Sequence, residues 1–233
     1  MIDYYKELCK DYRIKEGLKA CINCGTCTAI CPAAEFYRYD PRQVVATVQT
    51  GDNALIEELL TSDTIWYCGE CLSCVTRCPR RNAPGLVIMA LRSLSIQTGL
   101  FVKSEKGRQQ LPLMHAMQRN ILNYGYCVYP RTFHYEQHPE YGLVGKWTNE
   151  HMEDVYERLG AHLDQIGPGA LRKIPQESLD ELKAIFDLTG ATGWMETVEA
   201  ESAKMAREMG LTLEEYEAKA FNETGPQHLN NGD

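Results

Sequence analysis

Eight of the ten cysteines fall into two copies of one spacing. Cys21-x2-Cys24-x2-Cys27-x3-Cys31-Pro32 is the first copy, and Cys68-x2-Cys71-x2-Cys74-x3-Cys78-Pro79 is the second. Whatever fold the chain adopts has to give these eight thiols a common purpose. Zinc takes four thiolates, but usually as two separated pairs, not as four in a single run. A disulfide framework needs an oxidising compartment. The stretch MIDYYKELCKDYRIKEG has no apolar core, so no export signal is expected there. Metal binding in a reducing compartment, with cytoplasmic localisation, is the expectation. Gly25 and Gly69 each directly follow a cysteine of a run. Both are expected to ease a tight bend by accepting φ > 0. Pro32 and Pro79 lack an N–H and fix φ, so each should start a new segment. Cys9 and Cys127 stand outside the runs and read as small buried hydrophobes.

The doubled run resembles the ligand run of bacterial-type ferredoxins, in which the fourth Cys ligates the other of two clusters. That resemblance implies two [4Fe–4S] clusters and a role in electron transfer. It assigns Cys21, Cys24, Cys27 and Cys78 to one cluster, and Cys68, Cys71, Cys74 and Cys31 to the other. A cubane needs thiolates at the corners of a tetrahedron, which three Cys spaced by two residues can supply when the loop is tight. Backbone N–H groups near Gly25, Thr26, Gly69 and Glu70 are candidate donors to sulfur. Trp66 and Tyr67 are expected to shield one cluster from water, with Ile22, Ile30, Leu72 and Val75 helping to shield both.

The chain has 233 residues, 24% of them charged and 44% hydrophobic, within the globular range. No stretch approaches the ~20 apolar residues of a membrane span. The net charge of −8 argues against a nucleic-acid partner. Charge is uneven: from Glu177 onward 13 Asp/Glu face 4 Lys/Arg. Such a run is more often a solvated helical face than a docking surface.

Helical signals dominate between and after the runs. Residues 3–17 read as one short helix. Asp40 followed by Pro41 is an N-cap with Pro at N1, with Val44, Val45 and Val48 at helical spacing. Gly51 should stop that helix and Asp52 cap the next, through Leu55, Leu59 and Leu60. Thr61, Ser62 and Asp63 offer a further cap. Residues 84–98 read as an apolar helix opened by Pro84, and 104–123 as another. No useful alternating pattern appears, so an all-α fold is expected.

Helices between the Cys runs resemble the alpha-helical ferredoxin type, as in the cluster domains of succinate dehydrogenase iron–sulfur subunits. Three segments resemble the C subunit of heterodisulfide reductase. They are Cys21-Ile-Asn-Cys-Gly-Thr-Cys-Thr-Ala-Ile-Cys-Pro, Ile65-Trp66-Tyr67-Cys68, and His115-Ala-Met-Gln-Arg-Asn-Ile-Leu-Asn-Tyr-Gly125. The resemblance spans roughly residues 15–130. It implies a hetero-oligomer in which this chain relays electrons between a flavin-bearing A-type subunit and a B subunit whose CCG motifs handle a disulfide. This chain has neither a Cys-Cys dipeptide nor a G-x-G-x-x-G. It is therefore expected to be a non-catalytic component of an oxidoreductase. The long tail suggests the heterodisulfide reductase-like complex of sulfur oxidisers, with its link to sulfur metabolism and lipoate-bound sulfur. This chain does not separate that from a methanogen-type role, because the substrate touches another chain. An iron–sulfur subunit of a glycolate or glycerol-3-phosphate oxidase type, or a free dicluster ferredoxin, stays open as an alternative.

Three segments follow from this reading. Residues 1–125 form the two-cluster domain, residues 126–175 an irregular arm, and residues 176–233 an acidic C-terminal helical module. The Tyr- and His-rich stretch 126–150 could equally anchor in a partner or fold back on its own chain. His134 and His138 are four apart, but Pro139 speaks against a metal pair. The module should hold helices at 176–188, 195–208 and 211–221, broken by Gly190, Gly193 and Gly210. Thr212 is expected to cap the last helix.

Overall fold

The computed structural model describes residues 2–133, 135, 138 and 141–222. Every regular element among them is helical, as the sequence predicts. The described residues divide into two compact units: residues 2–108 with 200–209, and 109–199 with 210–222. The segments expected from sequence, 1–125, 126–175 and 176–233, are cut at other points.

The first unit opens with α1 (Tyr4–Leu8) and α2 (Tyr12–Gly17), where the sequence predicts one helix over 3–17. The stretch divides because Asp11 sits in extended backbone and accepts the Arg13 N–H at 2.8 Å, capping a new helix start. The first Cys run holds the single turn α3 (Thr26–Ala29), and α4 (Ala33–Phe36) follows Pro32. Asp40 caps α5 (Pro41–Thr50), accepting from the N–H groups of Arg42 and Gln43. Gly51 ends α5 in the left-handed region at φ 71°. Asp52 then caps α6 (Asn53–Thr61). A 3-10 turn at Asp63–Trp66 leads to the second run, which holds the single turn α7 (Ser73–Thr76). Pro84 opens α8 (Pro84–Gln97).

Helix α8 is the spine of this unit, packing against α1, α2, α5 and α6. Its Val87, Ile88 and Leu91 are fully buried with Val48 of α5 and with Ile56 and Leu60 of α6. Each such side chain contributes about 1.5–3 kcal/mol relative to exposure. The Ser95 hydroxyl, fully buried, donates to the Leu60 carbonyl at 2.6 Å and ties α8 to α6. This core holds the two Cys runs side by side, with α3 against α7.

The helix expected over 104–123 is interrupted. It breaks into α9 (Glu105–Arg108), α10 (Gln110–Leu113), a π turn over Met114–Gln118, and α11 (Arg119–Tyr124). Pro112 has no N–H to give the preceding turn. At Gly107 the chain passes so near the Phe101 carbonyl that a Cβ would lie 2.1 Å from its oxygen.

In the second unit α12 (Gly142–Glu150) lies inside the stretch expected to be irregular, and α13 (Met152–Arg158) follows. Then come α14 (Gln176–Thr189), α15 (Ala191–Glu208), whose later part belongs to the first unit, and α16 (Leu213–Asn222). Gly190 and Gly210 break the chain with φ of 80° and 71°. Gly193 does not: it lies within the first turn of α15. Thr212 caps α16 through a reciprocal box. The Glu215 N–H donates to the Thr212 hydroxyl at 3.2 Å, and the Thr212 N–H donates to the Glu215 carboxylate at 2.8 Å. His115 Nδ1 lies 2.8 Å from Glu217, a side-chain pairing rather than a metal site. His134 lies outside the described residues, and His138 stacks on Phe133. No helix among the described residues is long and apolar enough to cross a membrane.

Candidate metal centre

The two Cys runs adopt one local geometry, residue for residue. Asn23 and Glu70, each two residues after the first Cys, are left-handed at φ 59° and 53°. Their backbone N–H groups donate to the sulfurs of Cys21 and Cys68, both at 3.4 Å. Gly25 and Leu72, each after the second Cys, are left-handed at φ 81° and 57°. Next, the hydroxyls of Thr26 and Ser73 lie 3.4 Å from the sulfurs of Cys24 and Cys71. Those hydroxyls, aided by the same residues' backbone N–H groups, lower the pKa of both thiols. Burial raises the pKa of Cys27 and Cys74, the third members.

Gly69 is the expected φ > 0 bend of the second loop, but the bend falls on Glu70 and Leu72. Leu72 gains a compensating contact: it reaches over α8 so closely that a Cβ on Gly85 would meet its Cδ2 at 2.8 Å. Of the four candidate donors, Glu70 donates to Cys68 Sγ and the Thr26 N–H acts on the Cys24 thiol. Asn23 and Asn82 donate as well, the latter to Cys78 Sγ at 3.3 Å.

Two separate cavities, of about 20 and 30 Å³, open beside these loops. One is bordered by Cys21, Cys24, Cys27 and Cys78, together with Ile22, Arg42 and Asn82. The other is bordered by Cys31, Cys68, Cys71 and Cys74, together with Tyr39, Leu72 and Ile88. Each thus meets three cysteines of one run and the last cysteine of the other. Among the described residues, no three His, Cys, Asp or Glu side chains close on a point the size of one metal ion. Four thiols border each cavity, the number of thiolates that a [4Fe–4S] cluster takes.

Residues that the sequence did not single out hold this arrangement. Asn82, 1% exposed, accepts the Lys19 N–H at 2.5 Å through Oδ1. The Ala83 N–H donates to the Gly17 carbonyl at 2.8 Å. Together they fasten the chain entering Cys21 to the chain leaving Cys78. Arg92 of α8 donates to the carbonyls of Ile65 and Cys68 at 2.7 and 2.6 Å and pairs with Glu70 at 2.6 Å. Its guanidinium also lies over Trp66, 5.4 Å from the ring centre. Trp66 and Tyr67 pack against the core, and Tyr67 stacks on Tyr37 at 4.4 Å and meets Tyr39 edge-on. Ile22 borders the first cavity while 59% exposed, so its shielding is slight. Cys9 is half-buried, but Cys127 is exposed, not the buried hydrophobe expected.

Tyr39 is the residue whose place is least visible in the sequence. It is 3% exposed and borders the second cavity. Its hydroxyl is buried without a hydrogen-bond partner and lies beside Cys68 and Cys31. Burial, and then the neighbouring Cys68, push its pKa well up, so the phenol keeps its proton.

Residues 17–82 match the family model described as a 4Fe-4S dicluster domain. The fold and the match define the class: an all-α iron–sulfur protein with two [4Fe–4S] clusters. Within that class the chain is similar to the C subunits of heterodisulfide reductases. It is 46% identical over 87 residues to the C subunit of ferredoxin:CoB-CoM heterodisulfide reductase from Methanosarcina acetivorans, covering 37% of this chain and 34% of that one. A protein of Archaeoglobus profundus that resembles the heterodisulfide reductase C subunit is 38% identical over 81 residues, 34% of this chain and 41% of its own. The corresponding protein of Methanosarcina mazei is 28% identical over 167 residues, 72% of this chain and 82% of its own. The first relatives are matched over only about a third to a half of their length.

Proposed function

We propose that this chain is the electron-relay component of a heterodisulfide reductase-like complex. It would stand between a flavin-bearing A-type subunit and a CCG-type subunit that handles a disulfide or thiol. The observation that carries the reading is the pair of cavities, each bordered by three cysteines of one run and the last of the other. In this reading Cys21, Cys24, Cys27 and Cys78 hold one cluster, and Cys68, Cys71, Cys74 and Cys31 hold the second. When bound, each [4Fe–4S] cluster supplies reversible one-electron transfer at a potential set by charge, hydrogen bonds to sulfur and solvent access.

The chain's own residues set those conditions. Asn23, Glu70 and Asn82 give N–H donors to cysteine sulfur, which stabilise negative charge there. The crossed ligation, braced by Asn82 and Arg92, fixes the spacing of the two sites. The names of the relatives support a multi-subunit setting. So do apolar side chains left in solvent close together on α12, Leu143 at 86%, Val144 at 75% and Trp147 at 52% exposed. These residues are the proposed partner-facing part.

Anaerobic purification with whatever co-purifies, followed by iron and sulfide analysis, tests the reading. About eight irons per chain, in a fraction with a flavoprotein and a CCG-type protein, is the expected result. A lone chain of 26.4 kDa in native extract would instead favour a free carrier.

A further inference from the structure

The ring of Tyr39 belongs to the core of the first unit, but its hydroxyl has no partner there. A phenol shut away from water without a partner costs stability, so such groups are rare in folded chains. The hydroxyl is buried with no partner at normal hydrogen-bond distance among the described residues; the groups beside it are Cys68 and Cys31, and the residue borders the cavity they share with Cys71 and Cys74. The ring is fixed from two sides. Tyr67 meets it edge-on at 6.2 Å, and Tyr67 is itself stacked on Tyr37. Tyr39 also sits one residue before Asp40, the cap of α5, so its backbone is held by that helix start. The other cavity has no tyrosine on its border. Near neutral pH a phenol is an O–H donor, and the neighbouring acceptors are the sulfurs of Cys68 and Cys31.

We propose that the Tyr39 hydroxyl donates a hydrogen bond to a sulfur of the cluster held by Cys31, Cys68, Cys71 and Cys74, either a thiolate or a cluster sulfide. Tyr39 thereby raises the reduction potential of that cluster and not of its neighbour. The proposal rests on the ligand reading above. A hydrogen bond to sulfur favours the reduced state, which carries one more negative charge, so the sign follows from electrostatics. Tyr39 is a positioning residue: it binds no metal and moves no electron itself.

The test is a redox titration of the whole chain, followed by low-temperature EPR. The signal of the cluster in question is identified as the one altered by Cys71→Ser. Tyr39→Phe keeps the ring and removes the donor. It should make reduction of that cluster about threefold to tenfold less favourable, tenfold being about 59 mV for one electron. The other cluster should stay unchanged. Placing 3-fluorotyrosine at position 39 makes the phenol a stronger donor and should move the same potential upward; this readout stands even where the Phe variant fails to assemble. No shift with either replacement, shifts of the wrong sign, or a shift confined to the other cluster overturns the proposal. Iron and sulfide counts on the same samples keep the two ideas apart. Eight irons with unmoved potentials sinks the role of Tyr39 alone. A wild-type chain without two clusters sinks the ligand reading beneath it.

Discussion

Replacing Asn82 with Ala should loosen one cluster and spare the other. Asn82 is 1% exposed, and its Oδ1 accepts the Lys19 N–H at 2.5 Å. Its own N–H donates to Cys78 Sγ at 3.3 Å, a backbone contact that Ala retains. The substitution therefore removes one acceptor and leaves the Lys19 N–H unpaired. An orphaned buried donor costs about 1–3 kcal/mol. The Lys19–Asn82 bond is only partly buried, which lowers that cost. The Asn82 Nδ2 is already buried without a partner, so its removal recovers part of the loss. About 1–2 kcal/mol is then the expected cost, a factor of about 5–30 in the local opening equilibrium. Opening parts the chain before Cys21 from the chain after Cys78. The assay is iron capture by a chelator under anaerobic conditions, with EPR of the iron that remains. Iron from the cluster of Cys21, Cys24 and Cys27 should be lost about 5–30 times faster, while the other signal persists. Equal rates in variant and wild type, or earlier loss of the other signal, would refute the role of this clamp.

Two further outcomes follow from helix starts. Asp40→Ala removes the cap of α5 and the bond from the Thr28 hydroxyl at 2.5 Å, costing about 1–2 kcal/mol. Differential scanning should show Tm lowered by about 2–4 °C per kcal/mol for a chain of this length, whereas Asp40→Asn should cost less. Thr212→Ala opens the capping box of α16, about 1 kcal/mol, and amide hydrogen exchange should quicken in the first turn of that helix before anywhere else.

Much of the frame is legible because its signals are local. The Cys spacing, the Asp40-Pro41 and Asp52 caps, the Gly51 stop and the Pro84 start each act within a few residues, and each stands in the structure. The misses come from interactions between distant parts of the chain. Leu72 accepts a left-handed backbone because it packs over α8, so the conspicuous Gly69 is not needed at the bend. Tyr39 precedes a helix and carries no periodicity, and its burial depends on Tyr67, far along the sequence. Asn82 and Arg92 are single polar residues whose partners lie 63 and 22–27 residues away. Helix α12 holds two glycines and has no side-chain cap, so propensity alone argues against it. Gly193 looks like a breaker, but a glycine in a first turn costs only about 1 kcal/mol, which a long helix tolerates.

Crossed ligation is the central claim, and Cys78→Ser tests it most directly. EPR of the reduced variant is compared with Cys24→Ser and Cys71→Ser prepared in the same way. Crossed ligation predicts that Cys78→Ser perturbs the signal that Cys24→Ser perturbs, although Cys78 belongs to the other run. If it instead perturbs the signal that Cys71→Ser perturbs, each run holds its own cluster and the crossed assignment is wrong.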